Sequence, residues 1–134
     1  MNLILFVHQD ASGKGEALEK KMAQVFGKNI IQMVHTFNAL KHILKQPGGG
    51  DQEVYVLLAE SPRRLQELFC LIDLLDGRRI VLVLPDDAKT TISMAHRFYP
   101  RFFTYINTAY DDLCAVLYKM TNKKIPIKEG KNGR

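Results

Sequence analysis

His8, Asp10, Ser12, Gly13, Lys14, Glu60, Asp86 and Asn107 are the residues of this 134-residue chain whose types could do chemistry together. Each stands just past a short apolar run, so all eight converge at one edge if those runs are parallel strands. Ser12, Gly13 and Lys14 open a helical stretch, where free amides can hold an anion. Asp10 or Glu60 can offer a carboxylate to a divalent cation, and His8 is of the type that titrates near neutral pH. The same residues have simpler uses, since acidic groups cap helix starts and a histidine at a strand end is commonly hydrogen-bonded in place. No Ser/His/Asp order, paired catalytic carboxylates or Cys/His pair accompanies them. The G-x-x-x-x-G-K-[ST] spacing of a phosphate-binding loop is also missing. A non-enzymatic role, with no catalytic residue, metal or cofactor assigned, is the expectation.

The elements that must position these groups follow from five almost wholly apolar runs, Leu3–Val7, Ile30–His35, Val54–Ala59, Ile80–Leu84 and Phe102–Ile106. A strand buried on both faces is apolar at every position rather than at alternate ones, so these runs predict a parallel sheet. Helical spacing follows each run: Glu16–Phe26 closed by Gly27, Ala39–Lys45 capped by Asn38, a long stretch from Pro62 with Ser61 as its cap, Thr90–Phe98 before Pro100, and a last helix after Asp111 and Asp112. The fold class is α/β, a three-layer sandwich around a five-stranded parallel sheet in the order 2-1-3-4-5. Leu65, Leu68, Phe69, Ile72 and Leu75 form a continuous stripe on the stretch from Pro62, and Leu71 and Leu74 widen it beyond what one sheet face requires. The glycines after Pro47 fall before a strand, so they read as a spacer and not as a phosphate cradle.

The net charge of +5 raises the question of a nucleic-acid partner. Six basic residues from Lys119 to Arg134 stand against Glu129 alone, so that segment holds the whole excess and the chain before it is electrically balanced. Residues 1–122 are therefore expected to fold as one domain and 123–134 to form a basic, disordered tail, with nucleic acid an unlikely partner. Cys70 and Cys114 lie among apolar residues and are expected to pack as small apolar side chains. MNLILFVHQD carries no basic segment before its apolar run and is too short for a membrane span, which predicts a cytoplasmic protein with no membrane partner.

The five-fold alternation over residues 1 to about 122 resembles the receiver domain of two-component response regulators. Tyr105-Ile106-Asn107-Thr108-Ala109-Tyr110 stands where that family commonly has Tyr-x-x-Lys-Pro-Phe, and Leu57-Leu58-Ala59-Glu60-Ser61-Pro62 is similar to its apolar strand, phosphoacceptor aspartate and downstream proline. The resemblance implies a reaction that needs an acidic pair for Mg²⁺, an acceptor aspartate, a hydroxyl and a lysine. Here those positions fall on His8 and Gln9, on Leu58 or Ala59, on Leu84 or Pro85, and on Thr108. Each chemical position is replaced, so the resemblance implies a degenerate receiver-like module whose phosphoacceptor site is lost. Asp10-Ala11-Ser12-Gly13-Lys14-Gly15-Glu16 also looks like the phosphate-binding turn of flavodoxins, but Glu60-Ser61-Pro62 leaves no loop for a flavin.

Receivers meet partners, or pair with themselves, on the face made by the fourth helix, the last strand and the last helix. The resemblance places His96, Arg97, Tyr99, Arg101, Tyr118 and Lys119 there, a mixture of aromatic and arginine side chains of the kind interface hot spots favour. The expected function is a signalling or scaffold module acting through another protein or through a homodimer. The alternative is a small-ligand or nucleotide-phosphate binder at the strand-end crevice.

Overall fold

A computed structural model describes residues 2–46 and 53–122, the side chain of Asn122 excepted. The glycine-rich spacer and the tail both lie outside the described residues. Five strands, β1 (Asn2–Phe6), β2 (Ile31–Val34), β3 (Glu53–Leu58), β4 (Arg79–Leu84) and β5 (Phe102–Tyr105), form a single sheet in the order β2-β1-β3-β4-β5. Every pairing is parallel, with Leu5 opposite both Met33 and Val56, and Val56 opposite Val81. The strand bounds differ from the apolar runs by a residue or so because ladder pairing, not hydropathy, sets where a strand ends.

Six α-helices among the described residues complete the three layers: α1 (Ser12–Phe26), α2 (Phe37–Lys45), α3 (Pro62–Phe69), α4 (Ile72–Leu75), α5 (Lys89–His96) and α6 (Asp111–Asn122). Alternate strand residues divide the core between two faces, as the two-residue period of a strand requires. Leu3, Leu5, Val54, Val56, Val81 and Val83 pack with Leu18 and Met22 of α1 and with Leu113 and Leu117 of α6. Ile4, Phe6, Tyr55, Leu57, Ile80 and Leu82 pack with Leu40 and Leu44 of α2, Leu65 and Leu68 of α3, Leu75 of α4 and Ala95 of α5. Residues 54–58 of β3 and 81–84 of β4 have no exposed surface, which is why those runs hold no alternating polar positions. At the β2 edge Gln32 is exposed.

Several local expectations are corrected. The cap of α2 is Thr36, whose Oγ1 accepts the Ala39 N–H at 3.1 Å, and Asn38 lies inside the helix. The long helix from Pro62 is two helices, because the chain turns at Cys70 and Leu71 and α4 restarts at Ile72. That bend swings Cys70 into solvent, so it does not pack in the core as expected, whereas Cys114 is buried and burial pushes its thiol above the ordinary value. Residues 12–15, ahead of the helix start expected at Glu16, are already helical. They are the first turn of α1, and a Cβ at Gly15 would come within 2.5 Å of Val7 Cγ1, so this glycine lets the helix lie against β1.

Two arginines fix the amino-terminal edge of the sheet. Arg78 donates to Leu44 O at 2.7 Å, Leu74 O at 3.1 Å and the Tyr55 hydroxyl at 2.9 Å, tying α2, α4 and β3 together. The Tyr55 hydroxyl in turn donates to Glu53 Oε1 at 2.9 Å, and burial, reinforced by that bond, raises the phenol to about 12. Arg79 is buried within β4 and donates to Met120 O at 3.1 Å, at the carboxyl end of α6 where the helix dipole favours a cation. No helix among the described residues is long and apolar enough to cross a membrane.

Candidate functional site

The strand-end residues do not form one site. His8 follows β1, and its Nδ1 accepts the Asp10 N–H at 3.1 Å, closing a short 3-10 turn over Gln9–Ala11. An Nδ1 that accepts an amide hydrogen carries no proton, so the 3.6 Å approach of Asp10 Oδ2 to the same nitrogen is not an ion pair in neutral His8. The ring lies 5.4 Å from that of Phe37 and 6.3 Å from that of Phe6, which holds the histidine against the apolar end of the strand.

The dominant group at this edge is one the sequence reading did not single out. Arg64, on the first turn of α3 and mostly buried, donates through Nε and Nη2 to Glu60 Oε2, both at 2.8 Å, and through Nη1 to Glu67 Oε1 at 2.8 Å. Its Nη2 is 3.7 Å from Asp10 Oδ2, and its guanidinium lies 5.8 Å from the centre of the Phe37 ring. The signal was present as Glu60-x-x-x-Arg64 and Arg64-x-x-Glu67, spacings that bring side chains together on a helix. Burial pushes the Glu60 carboxyl up, but the Arg64 hydrogen bonds and charge outweigh it and leave the group below its ordinary value. The hydrogen bond that Arg64 donates to Glu60 likewise raises the arginine.

An open hollow of about 460 Å³ lies over this cluster, lined by His8, Asp10, Phe37, Ser61, Arg63, Arg64 and Glu67. Ser12, Gly13 and Lys14 do not line it; they are exposed on the first turn of α1. Asp86 is occupied locally, its Oδ1 accepting the Ala88 N–H at 3.0 Å. Asn107 is exposed in the turn after β5 with a φ of 72°. No group of three or more metal-ligating side chains occurs among the described residues.

The second candidate surface also divides. His96 packs its ring edge-on to Phe103 with centres 5.6 Å apart, and Tyr118 projects from α6 on the opposite layer. Arg97, Tyr99 and Arg101, by contrast, come together in the turn between α5 and β5. They line a hollow of about 350 Å³ whose other wall is Ile72, Asp73, Leu75, Asp76, Gly77 and Arg78 from α4 and the turn after it. Because these segments precede β4 and β5, the hollow is at the amino-terminal edge of the sheet, opposite the strand-end crevice. Arg97 stacks its guanidinium 4.4 Å from the centre of the Phe69 ring, and the Arg101 N–H donates to Ile80 O at 2.8 Å, pinning the turn to β4.

Tyr99 stands out among the described residues. Three non-glycine residues there have positive φ: Asn107, Tyr110 and Tyr99 at 52°. Asparagine tolerates that region, and Tyr110 is buried, so packing holds it there. Tyr99 is 86 % exposed and occupies the left-handed position after a helix where glycine is usual. Compared with known proteins, the chain matches no family model, no curated protein and no solved structure at a significant level.

Proposed function

We propose that this chain is a non-catalytic, receiver-like interaction module, acting in signalling or as a scaffold through contact with another protein chain, and that its contact surface is the α5–β5 turn around Tyr99. The observation that carries the reading is the conformation of Tyr99. A left-handed non-glycine residue costs about 1–2 kcal/mol, and a side chain 86 % exposed recovers little of that within its own chain. A rigid aromatic flanked by arginines gives that energy back when a partner covers it, since Tyr and Arg anchor interfaces out of proportion to their number. The tight turn at its base, with Tyr99 N–H donating to His96 O at 3.0 Å, fixes the backbone from which the ring projects.

The alternative, a small ligand or nucleotide phosphate at the strand-end crevice, has the 460 Å³ hollow in its favour. The carboxylates of Asp10, Glu60 and Glu67 already occupy the Arg64 guanidinium there, so an incoming phosphate meets net negative charge. The interaction reading is tested by placing a photo-crosslinking phenylalanine derivative at position 99 and, separately, at the exposed position Gln24 of α1. In cells that express the chain natively, a discrete protein adduct is expected from position 99 and none from position 24. Equal, diffuse labelling from both positions would overturn the surface assignment.

A further inference from the structure

The hollow beside Tyr99 carries charge of both signs without internal pairing. Asp73 and Asp76 stand on the α4 wall, Arg97 and Arg101 on the α5–β5 wall, all four exposed, and none forms an ion pair among the described residues, while Arg78, half-buried beside Asp76, spends its guanidinium on Leu44 O, Leu74 O and the Tyr55 hydroxyl. A partner of one sign would satisfy one wall and confront like charge on the other. An acidic peptide would meet Asp73 and Asp76, and a basic one Arg97 and Arg101. The partner must itself be bipolar. It must also offer a recess, because the exposed ring of Tyr99 stands at the rim and a small zwitterion lodged in the hollow would leave it uncovered.

The geometry points to a second copy of this chain as the occupant, paired about a two-fold axis so that Tyr99 of each copy enters the other's hollow and Arg97 and Arg101 face the partner copy's Asp73 and Asp76. This rests on the reading of the α5–β5 turn as the contact surface and names the partner for it. A two-fold pairing brings one patch against itself, which is favourable only when the patch is self-complementary in shape and charge. Here the projection and the recess lie side by side, as do the two signs of charge. The recess, about 350 Å³, is roughly ten times the volume of one liquid water, about 30 Å³, and so has room for a phenol ring. A patch confined to two turns and a short helix falls at the small end of interface size, so the pairing is reversible and depends on concentration.

The test is sedimentation equilibrium of the full chain from low micromolar to near millimolar concentration. The wild-type mass is expected to rise from one chain to two. Arg101→Glu alone and Asp76→Arg alone are expected to keep the mass of one chain, because each places like charges opposite one another. An equimolar mixture of the two variants should recover the two-chain mass at the same total concentration, since each then supplies the charge the other lacks. Tyr99→Gly should remain a single chain while its unfolding midpoint stays at or above that of the wild type, which separates lost contact from lost fold. A wild type that remains single throughout, or charge variants that pair as the wild type does, would overturn the self-pairing. In the first case a position-99 adduct with a different protein, including one found by mass to be of another chain, would leave the contact surface standing. The absence of any such adduct would remove both.

Discussion

At the scale of single residues, Arg64 decides what the strand-end edge can do. It satisfies Glu60 Oε2 twice and Glu67 Oε1 once, while Glu60 Oε1 is buried with no hydrogen-bond partner among the described residues. Removing the arginine therefore strands a half-desolvated carboxylate. Arg64→Met is expected to lower unfolding free energy by about 1–3 kcal/mol, and Glu60→Gln by less, because Glu67 and Asp10 still hold the arginine. The pH dependence separates the two effects. Glu60 in the folded chain lies below its ordinary value of 4.5, so its contribution is fully present above that pH and is lost as pH falls through the depressed value. In Arg64→Met the arginine's hydrogen bonds and charge no longer oppose burial, so the Glu60 carboxyl moves upward and protonation costs the fold less. Denaturant titrations from neutral pH into the acid range should show the deficit of Arg64→Met narrowing as pH falls; a constant deficit would mean that the arginine acts by packing. Asp10 and Glu60 were visible in the sequence as polar residues after strands, and the spacing of Glu60, Arg64 and Glu67 was there too, but not the burial that makes it count. A basic residue inside a helix is indistinguishable in sequence from a solvated one until the fold shows which face it is on.

At the scale of elements, the apolar runs foretold the strands and their parallel order because burial on both faces leaves a sequence mark that loops cannot imitate. Helix ends were less legible. Thr36 and Asn38 are both good capping residues two positions apart, and only the extended backbone of Thr36 selects between them. Thr36→Ala is accordingly expected to destabilise by about 1 kcal/mol, with Asn38→Ala near neutral, as measured by thermal or urea unfolding. The reverse ranking would move the start of α2 back to the sequence expectation. The stripe from Leu65 to Leu75 misled for a related reason. It is wide because two helices, α3 and α4, present it at different angles, with Leu71 buried in the turn between them. Continuous hydropathy hides a bend that contains neither glycine nor proline, so the exposure of Cys70 could not be read in advance. The proximity of α4 to the α5–β5 turn, which builds the hollow, is likewise a consequence of the bend and of sheet order together.

At the scale of the whole molecule, the charge is separated from the proposed contact surface along the chain. Residues from Lys119 onward carry the entire net charge of +5, so the body before them is neutral and its surface works through local arrangement of both signs. Truncation after Asn122 removes five basic residues and Glu129, lowering the net charge by four. If pairing depends on Arg97, Tyr99, Arg101 and the acidic wall of α4, the truncated chain should sediment as the full chain does, with the same concentration midpoint. Any weak association with nucleic acid should instead disappear with the tail and should, in the full chain, fall steeply with added salt, since phosphate contacts release counterions. Moderate salt should also weaken the self-pairing, but by a smaller factor, because a surface whose opposed charges are covered is screened less than an exposed tail. Sedimentation and fluorescence anisotropy with a labelled oligonucleotide, run on both chains at two salt concentrations, measure the two effects independently. Loss of self-pairing on truncation would place the contact in the tail and not in the α5–β5 turn.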